Sequence, residues 1–177
     1  MKINYLKKGI VVMREFLINM INNACKNVYN QDRYLIKNDK CKDNLNYVSE
    51  RSIMFRFGIY LQDYLNNYAK LKDYNLDSEY NKNLGDLKRI QDWENGAIPD
   101  IIIHKRGTND YNVLIIEIKT WWNDNITDDL RKIDKFMEVN SDYSYKYGAV
   151  IIFRENSVEI IFKEQGCDDY KIIKNFS

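Results

Sequence analysis

Ile98-Pro99-Asp100-Ile101-Ile102-Ile103-His104, a connection opening with Lys105-Arg106-Gly107-Thr108-Asn109-Asp110, and then Val113-Leu114-Ile115-Ile116-Glu117-Ile118-Lys119 form the stretch that decides the fold. Each outer half is an apolar run of strand length, rich in Ile and Val, and the residues between them carry turn chemistry. Two buried strands are expected here. Side chains alternate along a strand, so Glu117 and Lys119 share one face, roughly 6.6 Å apart, while Ile116 and Ile118 take the other. Asp100 opens the neighbouring strand, with Ile102 and His104 on its side. Charges set among so many aliphatic side chains are costly when uncompensated, so these two acids and the lysine must neutralise one another or hold a metal ion.

A chain of 177 residues is most simply one domain, long enough to bury about 70% of its unfolded surface. Hydrophobic residues at 45% and charged residues at 30% are the proportions of a soluble globular protein rather than a disordered one. With 27 Lys+Arg against 26 Asp+Glu, the net charge of +1 excludes a global basic field, and any phosphate binding must come from a local patch. Cys25, Cys41 and Cys167 are too scattered for a disulfide framework or a CxxC zinc site, and their odd number favours a reducing, cytoplasmic setting. Lys7-Lys8 before Gly9-Ile10-Val11-Val12-Met13 imitates the start of a signal peptide. Arg14-Glu15 cut that run too short for a secretory core or a membrane span, so an unprocessed chain away from membranes is expected.

From Leu6 to Val28, Ile10, Met13, Leu17, Met20, Ile21 and Ala24 recur at three- and four-residue spacing, which argues an amphipathic helix. Packing or dimerisation is its expected job, with a homodimer through this helix the candidate assembly. Asn30 to Asn46 is polar and reads as a linker, so residues 1–47 divide from a main body at 48–177 within one compact domain. Ser49 is a candidate N-cap for a helix carrying Ile53, Phe57, Tyr60, Leu61, Tyr64, Leu65 and Tyr68 on one stripe. Glu50 falls on the same side, where an acid in the first turn favours the helix dipole. Arg51 beside it is either a surface cation or a phosphate contact. Tyr74 to Asn81 is a short strand candidate in which Asp77, Glu79 and Asn81 share a face. Glu79 is then a solvated edge residue or a further acid of the site.

Asn83 to Gly96 reads as a charged, substrate-contacting loop containing Trp93. His104, the only histidine, lies roughly 13 Å along the strand from Asp100, so structural hydrogen bonding is its expected role. Lys105 and Arg106 are either a solvated pair or phosphate contacts. Trp121 and Trp122 either cover the core or stack on bases. Thr127 is expected to cap a helix with Leu130, Ile133, Phe136 and Met137 inside, leaving Arg131, Lys132 and Lys135 for backbone phosphates. Tyr147 to Phe153 and Val158 to Phe162 read as two further strands.

Pro99-Asp100 followed by Glu117-Ile118-Lys119 resembles, residue by residue, the signature of the PD-(D/E)xK nuclease superfamily, which includes type II restriction enzymes and archaeal Holliday-junction resolvases. The resemblance spans Ser49 to Phe162 and leaves Met1 to Tyr47 outside. It implies an α/β fold with a restriction endonuclease-like core, a central mixed β-sheet flanked by α-helices in the order αβββαβ, here with an extra N-terminal helix. It also implies a metal-dependent nuclease using Mg2+ or Mn2+ on nucleic acid, DNA first. Asp100 and Glu117 would be metal ligands, joined by the main-chain carbonyl of Ile118 and by Glu50 directly or through water. Lys119 would orient or deprotonate the attacking water and offset transition-state charge. Two rival expectations remain: an inactive nucleic-acid-binding or interaction module of the same fold, whose acids and lysine form a metal-free salt-bridge cluster, and a purely structural protein assembled through its first helix.

Overall fold

The computed structural model describes residues 2–37, 48–83, 86–87 and 98–176. In chain order it contains α1 (Lys2–Gln31), α2 (Arg33–Ile36), α3 (Glu50–Asn66), β1 (Asn75–Ser78), β2 (Lys82–Asn83), β3 (Asp86–Leu87), β4 (Ile101–His104), β5 (Leu114–Thr120), α4 (Thr127–Met137), β6 (Tyr147–Phe153), β7 (Ser157–Glu164) and β8 (Lys171–Phe176). The fold is α/β. Six strands form one mixed sheet in the order β1-β4-β5-β6-β7-β8, and β2 pairs with β3 apart from it. β5 and β6 are parallel and joined through α4, because parallel neighbours need a crossover, whereas the remaining neighbours run antiparallel.

The period-two alternation of the apolar runs becomes the two faces of this sheet. Ile101, Ile103, Leu114, Ile116, Ile118, Ala149, Ile151 and Phe153 face α1 and α3, in one core with Leu17, Ile21, Phe57 and Leu61. Ile102, Ile115, Val150 and Ile152 face α4, in a second core with Ile133, Phe136 and Met137. β4, β5 and β6 are therefore covered on both sides, which is why they read as continuous apolar runs. Gly148 lets α4 lie close on β6: a Cβ there would fall on Ile133 and lie 2.6 Å from Met137 Sδ.

Several local expectations change. α1 extends beyond Leu6–Val28, and α2 occupies part of the stretch read as linker. Residues 38–46 of that linker, Cys41 among them, and most of the loop containing Trp93 lie outside the described residues. The strand expected over 74–81 stops at Ser78, because Glu79 turns the chain with a positive φ of 48° and its N–H donates to the Asp100 carbonyl at 3.0 Å. Glu79 thus does not continue Asp77's face. Thr127 is the first helical residue of α4 rather than its cap, and its N–H donates to the Asn125 side chain at 3.2 Å. β8 is a strand that sequence periodicity left unassigned. No described helix is long and apolar enough to cross a membrane.

Candidate active site

Four elements converge where β4 begins and β5 ends. The register pairs Ile101 with Ile116, so Asp100 and Glu117 stand at the next step of the ladder. β4 does not extend to Ile118, and the Asp100 carboxylate takes the Ile118 N–H instead, at 2.7 Å. The N–H and C=O of one strand residue point to the same edge, so the Ile118 carbonyl faces Asp100 as well. Glu117 and Lys119 leave β5 on the α4 side. Glu50 arrives from the start of α3 and accepts a hydrogen bond from Thr120 Oγ1 at 3.2 Å.

Helix α4 answers the strand charges in reverse order. Lys132 Nζ reaches Glu117 Oε2 at 2.7 Å, and Lys119 Nζ lies 3.2 Å from Asp129 Oδ2. Strand residues two apart and helix residues three apart are separated by similar distances, which makes this cross-pairing possible. Glu117 is 1% exposed, and its second oxygen, Oε1, is buried without a hydrogen-bond partner. Lys132 Nζ also donates to the Ile98 carbonyl at 3.3 Å.

The electrostatics follow from this crowding. Burial, then the neighbouring Asp100, pushes the Glu117 carboxyl well above the carboxylate range, against the pull of Lys132. Burial also raises Asp100, opposed by the Ile118 N–H and the two lysines. Glu50 is raised by burial and by Asp100, with Lys119, Thr120 and Asn123 opposing. Burial works against the charged form of Lys119, but Asp129, Glu50 and Asp100 outweigh it and hold the ammonium more firmly protonated than usual. Burial raises all three carboxyls, and the nearby lysines do not offset it.

Among the described residues, no three His, Cys, Asp or Glu side chains converge as a group that could hold a metal ion. The donor chemistry nonetheless suits a hard cation: carboxylate oxygens from Asp100 and Glu117, one of them buried and unpartnered, with a main-chain carbonyl beside them.

The other sequence candidates lie elsewhere. Arg51 is 3.1 Å from Glu79, and both are exposed. Arg106 is bound to Asp77, and His104 Nε2 lies 2.9 Å from the same carboxylate, so the histidine has the structural partner expected of it. Lys105 stands over the rings of Tyr74 and Tyr111, at 5.0 and 4.7 Å from their centroids. Lys105 and Arg106 follow β4, at the end away from Asp100. Arg131 is exposed on α4, and Lys135 pairs with Glu138 at 2.8 Å. Lys132, read as a solvent-facing phosphate contact, turns inward to Glu117 because that buried carboxylate attracts it. Asp129 was missed; its signal was a second acid–lysine doublet, Asp129 and Lys132, in the same order as Glu117 and Lys119 but on an element that pairs with them in reverse. Trp121 and Trp122 pack edge to face at 5.4 Å, with Trp121 Nε1 donating to the Ile36 carbonyl.

Comparison with protein-family models, with curated proteins and with solved structures finds no match.

Proposed function

We propose that this chain is a metal-dependent nuclease, hydrolysing phosphodiester bonds of nucleic acid and in the first instance DNA, on a restriction endonuclease-like core. The observation that carries this reading is the meeting of Asp100, Glu117, Lys119 and Glu50 at one end of β4 and β5, with a buried, unpartnered oxygen on Glu117. The order α3, β1, β4, β5, α4, β6 around a mixed sheet supports it further, since this is the αβββαβ succession that the signature implies. Asp100 and Glu117 would hold Mg2+ or Mn2+ with the Ile118 carbonyl, and Glu50, steadied by Thr120, would complete the set. The bound ion supplies a polarised water and offsets charge on the phosphate oxygens. Lys119 brings its ammonium to the same face, where it would orient the attacking water and stabilise the negative charge that develops.

The test is cleavage of linear, circular and single-stranded substrates with Mg2+, Mn2+ or EDTA, for wild type and Glu117→Gln. Cleavage that needs the ion and is lost in the variant supports the reading, and no cleavage of DNA or RNA under any condition removes it. A second reading has its own support: Lys132 on Glu117 and Lys119 on Asp129 already compensate much of the charge, as a metal-free cluster in an inactive nucleic-acid-binding module would. That module predicts nucleic-acid binding indifferent to EDTA.

A further inference from the structure

The two lysines of the site are held differently. Lys119 has its partner, Asp129, on α4, outside the Asp100 and Glu117 pair. Lys132 instead lies within that pair's surroundings, with Nζ 2.7 Å from Glu117 Oε2 and 3.3 Å from the Ile98 carbonyl. Both lysines act through their charge on Asp100, but of the two it is Lys132 that touches Glu117. Carboxylate and carbonyl oxygens around one positive centre are the surroundings that a hard divalent cation selects. The Lys132 side chain is 16% exposed and rides on a flexible four-carbon stem, so a route to solvent is open to it.

We propose that the Lys132 ammonium is a resident stand-in for the divalent cation: it holds Glu117 in the metal-free protein and must leave Glu117 Oε2 when the metal enters. The inference rests on the metal reading given above. An ammonium has only donors and cannot share a carboxylate oxygen closely with a second cation, since like charges at that separation repel strongly in a buried setting. Lys119 stays in place because Asp129 is not among the expected ligands. The metal-free protein thereby keeps a deeply buried carboxylate correctly pointed, and Lys132 is released toward solvent as the ion binds. Lys132 is in this sense a positioning residue.

Calorimetric titration with Mn2+ compares wild type, Lys132→Met and Lys132→Arg, with folding of each checked by circular dichroism. Lys132→Met is expected to bind Mn2+ about tenfold more tightly or better, and Lys132→Arg no more tightly than wild type. In wild type, saturating Mg2+ is expected to speed acetylation of Lys132 several-fold relative to Lys119, read by mass spectrometry. Equal or weaker Mn2+ binding by Lys132→Met overturns the proposal while the metal reading stands. So does acetylation of Lys132 that Mg2+ leaves unchanged when calorimetry shows the site filled. Absence of Mn2+ binding in all three folded proteins removes the metal reading, and this proposal with it. If Lys132→Met does not fold, acetylation of the wild type decides.

Discussion

Glu117 Oε1 and Oε2 share one carboxylate but have different surroundings, one unpartnered and the other held by Lys132, and the proposed metal site turns on that asymmetry. Removing the opposite acid should expose it: Asp100→Asn is expected to weaken Mn2+ binding about tenfold or more in calorimetry, as loss of a group from a metal's surroundings commonly does. Equal affinity would dismiss Asp100 as a ligand. On the proposed reading Lys119 contributes charge without ligating, so Lys119→Ala should keep Mn2+ and substrate binding while cleavage falls roughly 100-fold. Cleavage at the wild-type rate in that variant would overturn its role. At the other end of β4, burial pushes the Asp77 carboxyl up, but hydrogen bonds from Arg106 and His104 outweigh it and leave the group below the usual carboxylate range. A carboxyl lowered on folding adds stability that is full above its unfolded value, about pH 4, and is lost as pH falls through the folded value. Asp77→Asn should therefore lower the urea midpoint at neutral pH, with the gap to wild type closing below about pH 4. A gap that persists unchanged into acid would show that the ion pairing of Asp77 contributes nothing.

At the scale of elements, α4 decides the site because it brings Asp129 and Lys132 to β5 while burying Ile133, Phe136 and Met137 against β6. The close approach depends on Gly148. Gly148→Ala should cost about 1–3 kcal/mol in urea unfolding, since Ile133 and Met137 must shift to admit the methyl. The same variant should loosen the Lys132–Glu117 and Lys119–Asp129 pairs, so its Mn2+ affinity should change along with its stability. An unfolding midpoint equal to wild type would mean that α4 adjusts freely. The strands were legible one by one: Tyr147–Phe153 matches its apolar run, and β7 is longer than Val158–Phe162 by one residue at its start and two at its end. β8 escaped because Lys171, Ile172 and Lys174 are exposed on an edge strand, where half-buried alternation is weak.

Across the whole molecule, a net charge of +1 means that the proposed attraction to nucleic acid is a matter of local placement. Lys105 and Arg106 sit beyond the far end of β4, engaged with Tyr74, Tyr111 and Asp77, whereas Arg131 and Lys135, the latter paired with Glu138, ride on the helix that carries Asp129 and Lys132. Binding should fall steeply with salt, and Arg131→Ala with Lys135→Ala should reduce the slope of log affinity against log salt by about one to two. Affinity measured by fluorescence anisotropy across a salt series checks this. A slope unchanged in the double variant would locate the contact surface elsewhere.

What the sequence determined by itself was local. Alternation with a period of two set Glu117 and Lys119 on one face and Ile116 and Ile118 on the other, and three- and four-residue spacing marked α1, α3 and α4. Asp100, Glu117 and Lys119 were legible as a unit because a hairpin-like connection leaves their strands little choice but to pair. The tertiary structure alone decided which charges meet across the elements. Lys132 left solvent for Glu117, Asp129 took Lys119, and Asp77 gathered His104 and Arg106, none of which follows from spacing within one helix or strand. The physical reason is that a buried charge accepts whichever opposite charge the packing brings within reach, and that reach is set by sheet register and by the depth to which α4 settles on Gly148.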